Sequence, residues 1–259
     1  MSIYLRQICL VARDMSPVLE TLTDIFGMAP VFADEAVGRY GLENTLLGVG
    51  TQFLEVVAPL REGTAAGRYL DRMKGDAGYM VICQAQTRAE QDAVRANAAA
   101  QGVRVATERD AGSYRMLQLH PGDMGAAFLS LPWVEGGDPT GTWPFAGHDA
   151  WRDSVRDDTV SAITAAELRS PDPDRLAARW GAVSGLPVET CGGLPMIQLG
   201  NATLRFAETR GGRPERLAGL DLRVRDRQAI LDRAAARGLE IFKEEVTICG
   251  VRFALHEAE

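Results

Sequence analysis

One pattern recurs four times along the chain, and it limits the possible folds more than any other feature. A strand-like run is followed by a helix-like segment, and further strand-like runs come after it. The runs that open the four rounds are predicted at Leu5 to Ala12, Tyr79 to Cys83, Val160 to Leu168 and Leu217 to Val224. Because such recurrence indicates an internal repeat, the sequence predicts an α+β fold of four βαβββ modules with curled mixed sheets and outer helices.

The modules are predicted to pair into two domains, because a chain of 259 residues can hold two of ordinary size. Residues 1–133 would form the first domain and hold the main cavity, and residues 159–259 would form a second, trimmed domain. Residues 134–158 are rich in Gly and Asp and lack periodicity, which predicts a linker. Within it, Trp143 and Phe145 are expected either to cover a cavity or to pack between the halves.

Local signals place several element boundaries. Ser16 is predicted to cap the first helix, with Pro17 at the first helical position. Thr87 and Glu90 form a capping-box pattern at the start of the second module's helix. A strand is predicted from Gly38 to Leu47, and His120 is predicted to open a strand just before Pro121.

Composition and charge exclude some functions. The formal net charge of -7 argues against general binding to nucleic acids or anionic membranes. No apolar run is long enough to span a bilayer, and the N-terminal residues lack a signal-peptide pattern. Cys9 and Cys83 lie in predicted strands, which suits buried free thiols, so we expect a cytoplasmic protein. The excess of Arg over Lys suggests a GC-rich bacterial genome.

An acid lies inside one of the most apolar stretches of the chain. Glu55 lies in the run G-T-Q-F-L-E-V-V-A-P-L, which is typical of a strand covered on both faces. Alternation puts Glu55 on the same face as Phe53 and Val57. Either Glu55 reaches solvent at a sheet edge, or it lies in a cavity and acts there. In the second case, burial without a cation is expected to raise its pKa above about 4.3.

Two motifs in the first half resemble methylmalonyl-CoA epimerases. They are T-Q-x-x-x-x-x-A-P-L at Thr51 to Leu60 and H-P-x-D-x-G at His120 to Gly125. Together with the βαβββ repeat, they resemble the vicinal oxygen chelate superfamily, which also includes glyoxalase I, extradiol dioxygenases and bleomycin-binding proteins. The likeness covers residues 3–133 well and residues 160–259 only in outline.

The resemblance implies a metal site that this chain only partly retains. In the superfamily, paired modules form a cup and each supplies two metal ligands. By position, two ligands fall on Gln7 and Glu55, the third falls within Tyr79 to Val81, and the fourth falls on Ser130. Gln7 and Glu55 can bind a metal through oxygen, but they are the only two of the four expected ligands that remain. We therefore expect no stoichiometric transition metal and no other cofactor, although weak divalent binding stays open.

The same resemblance suggests which side chains act on a ligand. Glu55 or Glu43 would be a catalytic base, and His120 could act as an acid or base near neutral pH. Gln7, Tyr79 or His120 would stabilise a developing enolate, and Ser130 would fill the space of the missing fourth metal ligand. The bland alternatives are an edge glutamate for Glu43, a strand-end histidine for His120 and an interface aromatic for Tyr79.

Two functions therefore stay open. The first is a small-molecule isomerase, epimerase or lyase that uses a carboxylate base on a carbonyl compound. The second is a non-catalytic, ligand-sequestering protein of the bleomycin-resistance type. An extradiol dioxygenase is excluded because its two histidines and one carboxylate cannot be assembled here, and glyoxalase I is disfavoured for the same lack of ligands. The expected partner is a small molecule, with a homodimer possible. The second half is predicted to lack polar floor residues and to serve packing or dimer formation.

Overall fold

The fold is that of a computed structural model, which describes residues 2–209 and 211–257. The elements of the first half are, in chain order, β1 (Ile3–Val11), α1 (Met15–Phe26), β2 (Pro30–Phe32), β3 (Leu42–Val49), β4 (Gln52–Pro59), α2 (Ala65–Met73), β5 (Ala77–Ala85), α3 (Arg88–Ala100), β6 (Val105–Asp110), β7 (Tyr114–Leu119), α4 (Pro121–Met124), β8 (Phe128–Ser130) and β9 (Trp133–Val134). Those of the second half are β10 (Val160–Ser170), α5 (Pro173–Ser184), β11 (Glu189–Cys191), β12 (Leu194–Gln198), β13 (Thr203–Glu208), β14 (Arg216–Val224), α6 (Arg227–Ala236), β15 (Ile241–Phe242), β16 (Glu245–Ile248) and β17 (Val251–Glu257).

The strands form two mixed sheets flanked by helices. The first sheet has the order β2-β3-β4-β1-β5-β8-β7-β6, with β9 beside β5 and β7. The second has the order β11-β12-β13-β10-β14-β17-β16-β15. The two orders match position by position, as a repeated module requires. The predicted α+β class and two-sheet, glyoxalase-like architecture are therefore confirmed.

The same parallel pairing of strands recurs in successive modules. In the second, third and fourth modules, the first strand pairs in parallel with the last strand, as β5 with β8, β10 with β13 and β14 with β17. Antiparallel pairs join β6 with β7 and β16 with β17, and the short strand β9 adds a second parallel pair with β5. Parallel strands need a long crossover connection, which usually contains a helix. The helix of each module belongs to this crossover, and it follows the first strand as the sequence pattern predicts.

The chain divides into two compact units, and both draw on the two halves of the sequence. Unit 1 contains residues 1–7, 79–142 and 165–217, and unit 2 contains residues 8–78, 143–164 and 218–259. In unit 1, α3 packs against α5 around buried side chains such as Val94 and Trp180. In unit 2, α1 packs against α6, and the Phe26 and Phe253 rings lie 5.3 Å apart.

Some predicted boundaries are confirmed and others are wrong. The capping box at Thr87 and Glu90 is present at the start of α3. The first helix is capped by Asp14 instead of Ser16, because the Asp14 side chain accepts a hydrogen bond from the Ser16 backbone N–H. The strand predicted from Gly38 begins only at Leu42, since residues 35–40 form a 3-10 helix.

The predicted linker is packed against unit 2 along much of its length. Residues 144–146 and 150–153 form short 3-10 helices, and Trp143, Ala146 and Trp151 are buried. Backbone hydrogen bonds between Trp143 and His148 close a small loop within it. Residues 143–155 are called the cover segment below. Among the described helices, none is both long and apolar enough to cross a membrane.

Candidate functional site

Glu55 lies in unit 2 near the middle of β4 and is only 7% exposed. The antiparallel register puts Leu46 opposite Glu55 and Asn44 opposite Val57. Asn44 and Glu55 therefore share one face of the sheet on neighbouring strands. The Asn44 amide Nδ2 donates to Glu55 Oε1 at 2.7 Å. A buried carboxylate is tolerated where such charge-assisted hydrogen bonds replace water.

A second hydrogen bond fixes the Asn44 amide. Its Oδ1 accepts from the Asp34 backbone N–H at 2.8 Å. Because the oxygen is held by a backbone donor, the NH₂ group is directed towards Glu55, which assigns the amide orientation. Asn44 is itself buried at 6% exposure. Asn44 therefore acts as a positioning residue for the carboxylate.

The Cys9 thiol, on β1, is the third member of this cluster. Burial raises the pKa of Cys9 well above its ordinary value, and the negative charge of Glu55 and a hydrogen bond between the two side chains raise it further. A thiol with a raised pKa stays protonated at neutral pH. Cys9, Asn44 and Glu55 are called the Glu55 cluster below, and they join an acceptor, an amide donor and a neutral thiol.

The cover segment packs on the face of β4 that carries Glu55. Phe53 shares this face, and its ring meets Trp151 edge-on with the centroids 5.1 Å apart. Gly48 lies opposite Phe53, and a Cβ added to Gly48 would lie 2.6 Å from Val155 Cγ2. The buried indole Nε1 of Trp151 has no hydrogen-bond partner within the described part of the chain. The cover segment therefore packs over Phe53 and Gly48 on this face.

The other predicted base, Glu43, points away from the cluster. It lies opposite Ala58 in the register, one residue before Asn44, and its side chain is exposed. Alternation along β3 directs Glu43 and Asn44 to opposite faces of the sheet. The structure therefore brings Glu55 and Asn44 together and leaves Glu43 on the other side of β3.

Three predicted ligand-binding residues lie in unit 1, and all three are buried. Gln7 and Tyr79 are each 3% exposed, and the Tyr79 ring packs edge-on against Phe128 at 5.0 Å. Ser130 is 1% exposed, and its hydroxyl donates to the Leu117 carbonyl at 3.3 Å. Ser130 lies beside Ile82 on the neighbouring parallel strand. Their predicted roles towards a ligand stay predictions.

His120 does not open a strand as predicted. It caps the one-turn helix α4, and its ring Nδ1 accepts from the Gly122 backbone N–H at 3.1 Å. This contact assigns the neutral proton to Nε2. Arg104 lies near the same ring and binds Asp123, and these hydrogen bonds hold the pKa of Asp123 well below its usual value. β7 ends at Leu119, just before His120, because Pro121 begins the helical turn α4.

A buried arginine that the sequence analysis did not assign lies in unit 1. Arg6 is fully buried, and its Nη1 donates to Gln84 Oε1 at 3.0 Å. Nη2 donates to the Gly141 carbonyl at 3.0 Å, and Nη1 also reaches the Asp138 carbonyl. Arg6 therefore fastens residues 138–141. The available signal was a charged residue inside a mostly apolar strand, as it was for Glu55.

The second half is not free of buried polar residues, so that expectation is wrong. Glu167 on β10 and Asp221 on β14 are each 7% exposed. Arg169 Nε lies 2.6 Å from Glu167 Oε1, and His256 Nε2 lies 3.2 Å from Asp221 Oδ2. Both acids have a cationic or protonatable neighbour, which compensates their burial. Neither acid lies at a position where the resemblance puts a metal ligand, so the sequence pattern did not single them out.

The donors around Glu55 do not fit the divalent ion that the superfamily resemblance implies. Within the described residues, no three His, Cys, Asp or Glu side chains are grouped to hold a metal. Glu55 Oε1 accepts from an amide N–H, and Cys9 is a protonated thiol, whereas a metal binds thiolate and lone-pair donors. The expectation that the protein works without metal stays a prediction.

A family model described as a glyoxalase-like domain matches residues 8–184 of this chain. The chain belongs to the glyoxalase-like domain family. This family is part of the vicinal oxygen chelate superfamily, so the resemblance inferred from the sequence is confirmed. A search of the curated proteins finds no match.

Solved structures share the fold at low identity. A mutant of 4-hydroxymandelate synthase from Streptomyces coelicolor is 16% identical with a TM-score of 0.67, over 92% of this chain and 76% of that chain. A Mn(II)-bound glyoxalase from Novosphingobium aromaticivorans is 13% identical with a TM-score of 0.68, over 98% and 81%. Methylmalonyl-CoA epimerase from Mycobacterium tuberculosis, 24% identical, matches over 51% of this chain and 87% of that chain with a TM-score of 0.43. At these identities the likeness to the first two structures supports the shared fold alone and leaves reaction and substrate open.

Proposed function

We propose that this glyoxalase-like protein is a small-molecule isomerase, epimerase or lyase in which Glu55 is the general base. The observation that carries the proposal is the Glu55 cluster: a buried carboxylate held by the Asn44 amide at 2.7 Å beside the Cys9 thiol. An enzyme needs several polar groups that converge on one place, and this cluster supplies an acceptor and two donors.

The proposed reaction begins with removal of a proton next to a carbonyl group. The Glu55 carboxylate takes the proton from carbon, and the electron pair of the C–H bond moves towards the carbonyl oxygen to form an enolate. Delivery of a proton from water to the other face of that carbon, with release of the Glu55 proton to solvent, gives an epimer. Expulsion of a leaving group with its bonding electron pair gives a lyase product instead. Asn44 holds the carboxylate in place throughout, and the protonated Cys9 thiol can donate a hydrogen bond. Gln7, Tyr79 and His120 stay predicted stabilisers of the enolate.

The proposal includes no metal. The enolate would be stabilised by hydrogen-bond donors of the chain, because the donor set around Glu55 suits a hydrogen-bonded carboxylate better than a coordinated one. Removing an essential base of this kind costs about 10²- to 10⁴-fold in rate. Chelator treatment of the purified protein should accordingly leave its activity unchanged.

A sequestering protein is the second candidate, and the cover segment favours it. Trp151 packs on Phe53 at the face that carries Glu55, and its buried Nε1 is an unused donor within the described residues. Aromatic rings of this kind bind flat apolar ligands through their faces and edges. In this case, Glu55 would bind a ligand and would not transfer a proton.

Proton exchange with D₂O separates the two candidates. A panel of 2-methyl acyl-CoA thioesters and aromatic 2-oxo acids is incubated with the protein in D₂O, and deuterium uptake at carbon is followed by NMR. The wild type should exchange at least one compound, and Glu55→Gln should lose the exchange. The control Glu43→Gln alters an exposed acid on the opposite face of β3 and should keep it.

Binding is measured on the same compounds by thermal shift. A compound that stabilises the wild type without any exchange identifies the sequestering function and contradicts the proposed enzyme. If Glu43→Gln loses exchange while Glu55→Gln keeps it in full, the base is Glu43 and the assignment to Glu55 is wrong. Absence of both exchange and stabilisation across the panel would contradict both candidates for these ligand classes.

A further inference from the structure

We propose that Arg223 and His256 form a second small-molecule site, which takes an oxyanion such as a carboxylate or a phosphate group. The site lies in unit 2, within the fourth module, and it is separate from the Glu55 cluster in the first module. The two side chains project from neighbouring parallel strands, because Arg223 on β14 is the register partner of His256 on β17. Adjacent strands lie about 4.8 Å apart, which is within the reach of one bound oxyanion.

Asp221 positions the His256 ring. His256 Nε2 lies 3.2 Å from Asp221 Oδ2, and the exposed fraction of the side chain is 59% for His256 and 10% for Asp221. An ionised carboxylate can only accept a hydrogen bond, so a proton on Nε2 is the arrangement that suits this contact. Nδ1 is the ring nitrogen that this contact leaves unused, on a side chain that is largely exposed. Within the described residues no hydrogen bond involves His256 Nδ1, which leaves it available to a ligand.

Other charges on this sheet face form ion pairs, whereas none is found for Arg223 among the described residues. Arg252 on β17 binds Glu245 on β16 at 2.6 Å, and both share the face of Asp221 and His256 according to the register. The Arg223 side chain is exposed, and no hydrogen bond or ion pair joins its guanidinium to another described residue. A guanidinium binds carboxylate and phosphate through two parallel N–H donors. Arg223 would therefore hold the oxyanion, and the second ring nitrogen of His256, when protonated, would donate to it.

The test follows the three histidines by NMR near pH 6. Protein labelled with ¹⁵N-histidine is titrated with sodium acetate or inorganic phosphate, against sodium chloride at equal ionic strength. Both oxyanions should shift the His256 signals in a saturable way, whereas chloride should not, and the His148 signals should stay in place. Tighter binding of acetate points to a carboxylate ligand, and tighter binding of phosphate points to a phosphate ester. Either result supports an oxyanion site.

Two variants separate a built site from general surface charge. Arg223→Ala removes the proposed clamp and should raise the apparent dissociation constant about tenfold, as expected for the loss of one charge-assisted contact. The matched control is Arg225→Ala, which removes an exposed arginine two residues away and should leave binding unchanged. Equal weakening in the two variants would overturn the proposal, as would equal shifts with chloride.

The tautomer of His256 gives an independent check. In the neutral form, long-range ¹H–¹⁵N spectra should show the proton on Nε2, and Asp221→Asn should reduce this preference because an amide can also donate. A proton found on Nδ1 in the wild type would contradict the Asp221 contact and with it the proposed orientation. None of these readouts depends on Glu55, so failure here and failure of the proposed enzyme can be told apart.

Discussion

At the scale of single residues, the four cysteines differ sharply in their expected reactivity. Burial raises the pKa of Cys83 to about 12, and burial and nearby acids raise the pKa values of Cys9 and Cys249. Cys191 is exposed on the edge strand β11. Because the thiolate is the reactive form, one equivalent of Ellman's reagent should react quickly with native protein and four in denaturant. Cys191→Ser should abolish the fast reaction, and a second fast thiol would contradict the assigned burial.

Sequence reasoning identified the unusual acid but missed the residues that hold it. The apolar run around Glu55 predicted an inward-facing carboxylate, and 7% exposure agrees with that. Asn44 could not be chosen beforehand, because it depends on the register that puts it opposite Val57. A shift of one residue would have directed Glu43 to that face instead. Side-chain pairing between strands is a tertiary property, whereas alternation along one strand can be predicted from sequence.

At the scale of elements, close packing of the cover segment against β3 requires a residue without a side chain at Gly48. An added Cβ would lie 2.6 Å from Val155 Cγ2 and 3.1 Å from Val31 Cγ1. Overpacking of this size costs about 1–3 kcal/mol, so Gly48→Ala should lower the thermal midpoint. Adding Val155→Ala should restore part of the loss. The control Gly38→Ala has no neighbour within 4 Å and should change little, and equal losses in Gly38→Ala and Gly48→Ala would refute the assigned contact.

Element types were easier to predict than the ends of elements. The four-fold order of strands and helices follows from periodicity and capping residues, and the Thr87 capping box is in place. The ends depended on competing local contacts. Asp14 competes with Ser16 for the first helix, and His120 caps a turn because Pro121 follows it. The cover segment has no periodicity, so the sequence predicted a linker and could not show which face it packs on.

At the scale of the whole molecule, each compact unit combines residues from both halves of the sequence. In unit 1, Asn97 on α3 donates to the Val183 carbonyl of α5 at 3.3 Å. In unit 2, Arg233 on α6 donates to the Ile25 carbonyl of α1 at 2.9 Å. The boundary at residues 134–158 separates the two sheets along the sequence. It does not separate the compact units, because each unit contains residues from both sides of this boundary. Division of the chain at this boundary would therefore split both units.

We therefore expect residues 1–133 and residues 159–259 to fold poorly as separate fragments. Phe26 is 1% exposed and packs on Phe253, so the first fragment would expose that ring together with the faces of α1 and α3. Each large side chain that loses its cover costs about 1.5–3 kcal/mol, and a few such losses exceed the stability of an ordinary domain. Near-UV circular dichroism should show lost tertiary packing in each fragment, and mixing the fragments should recover part of it. A fragment of residues 1–133 that melts cooperatively at the temperature of the full chain would instead establish it as an independent domain.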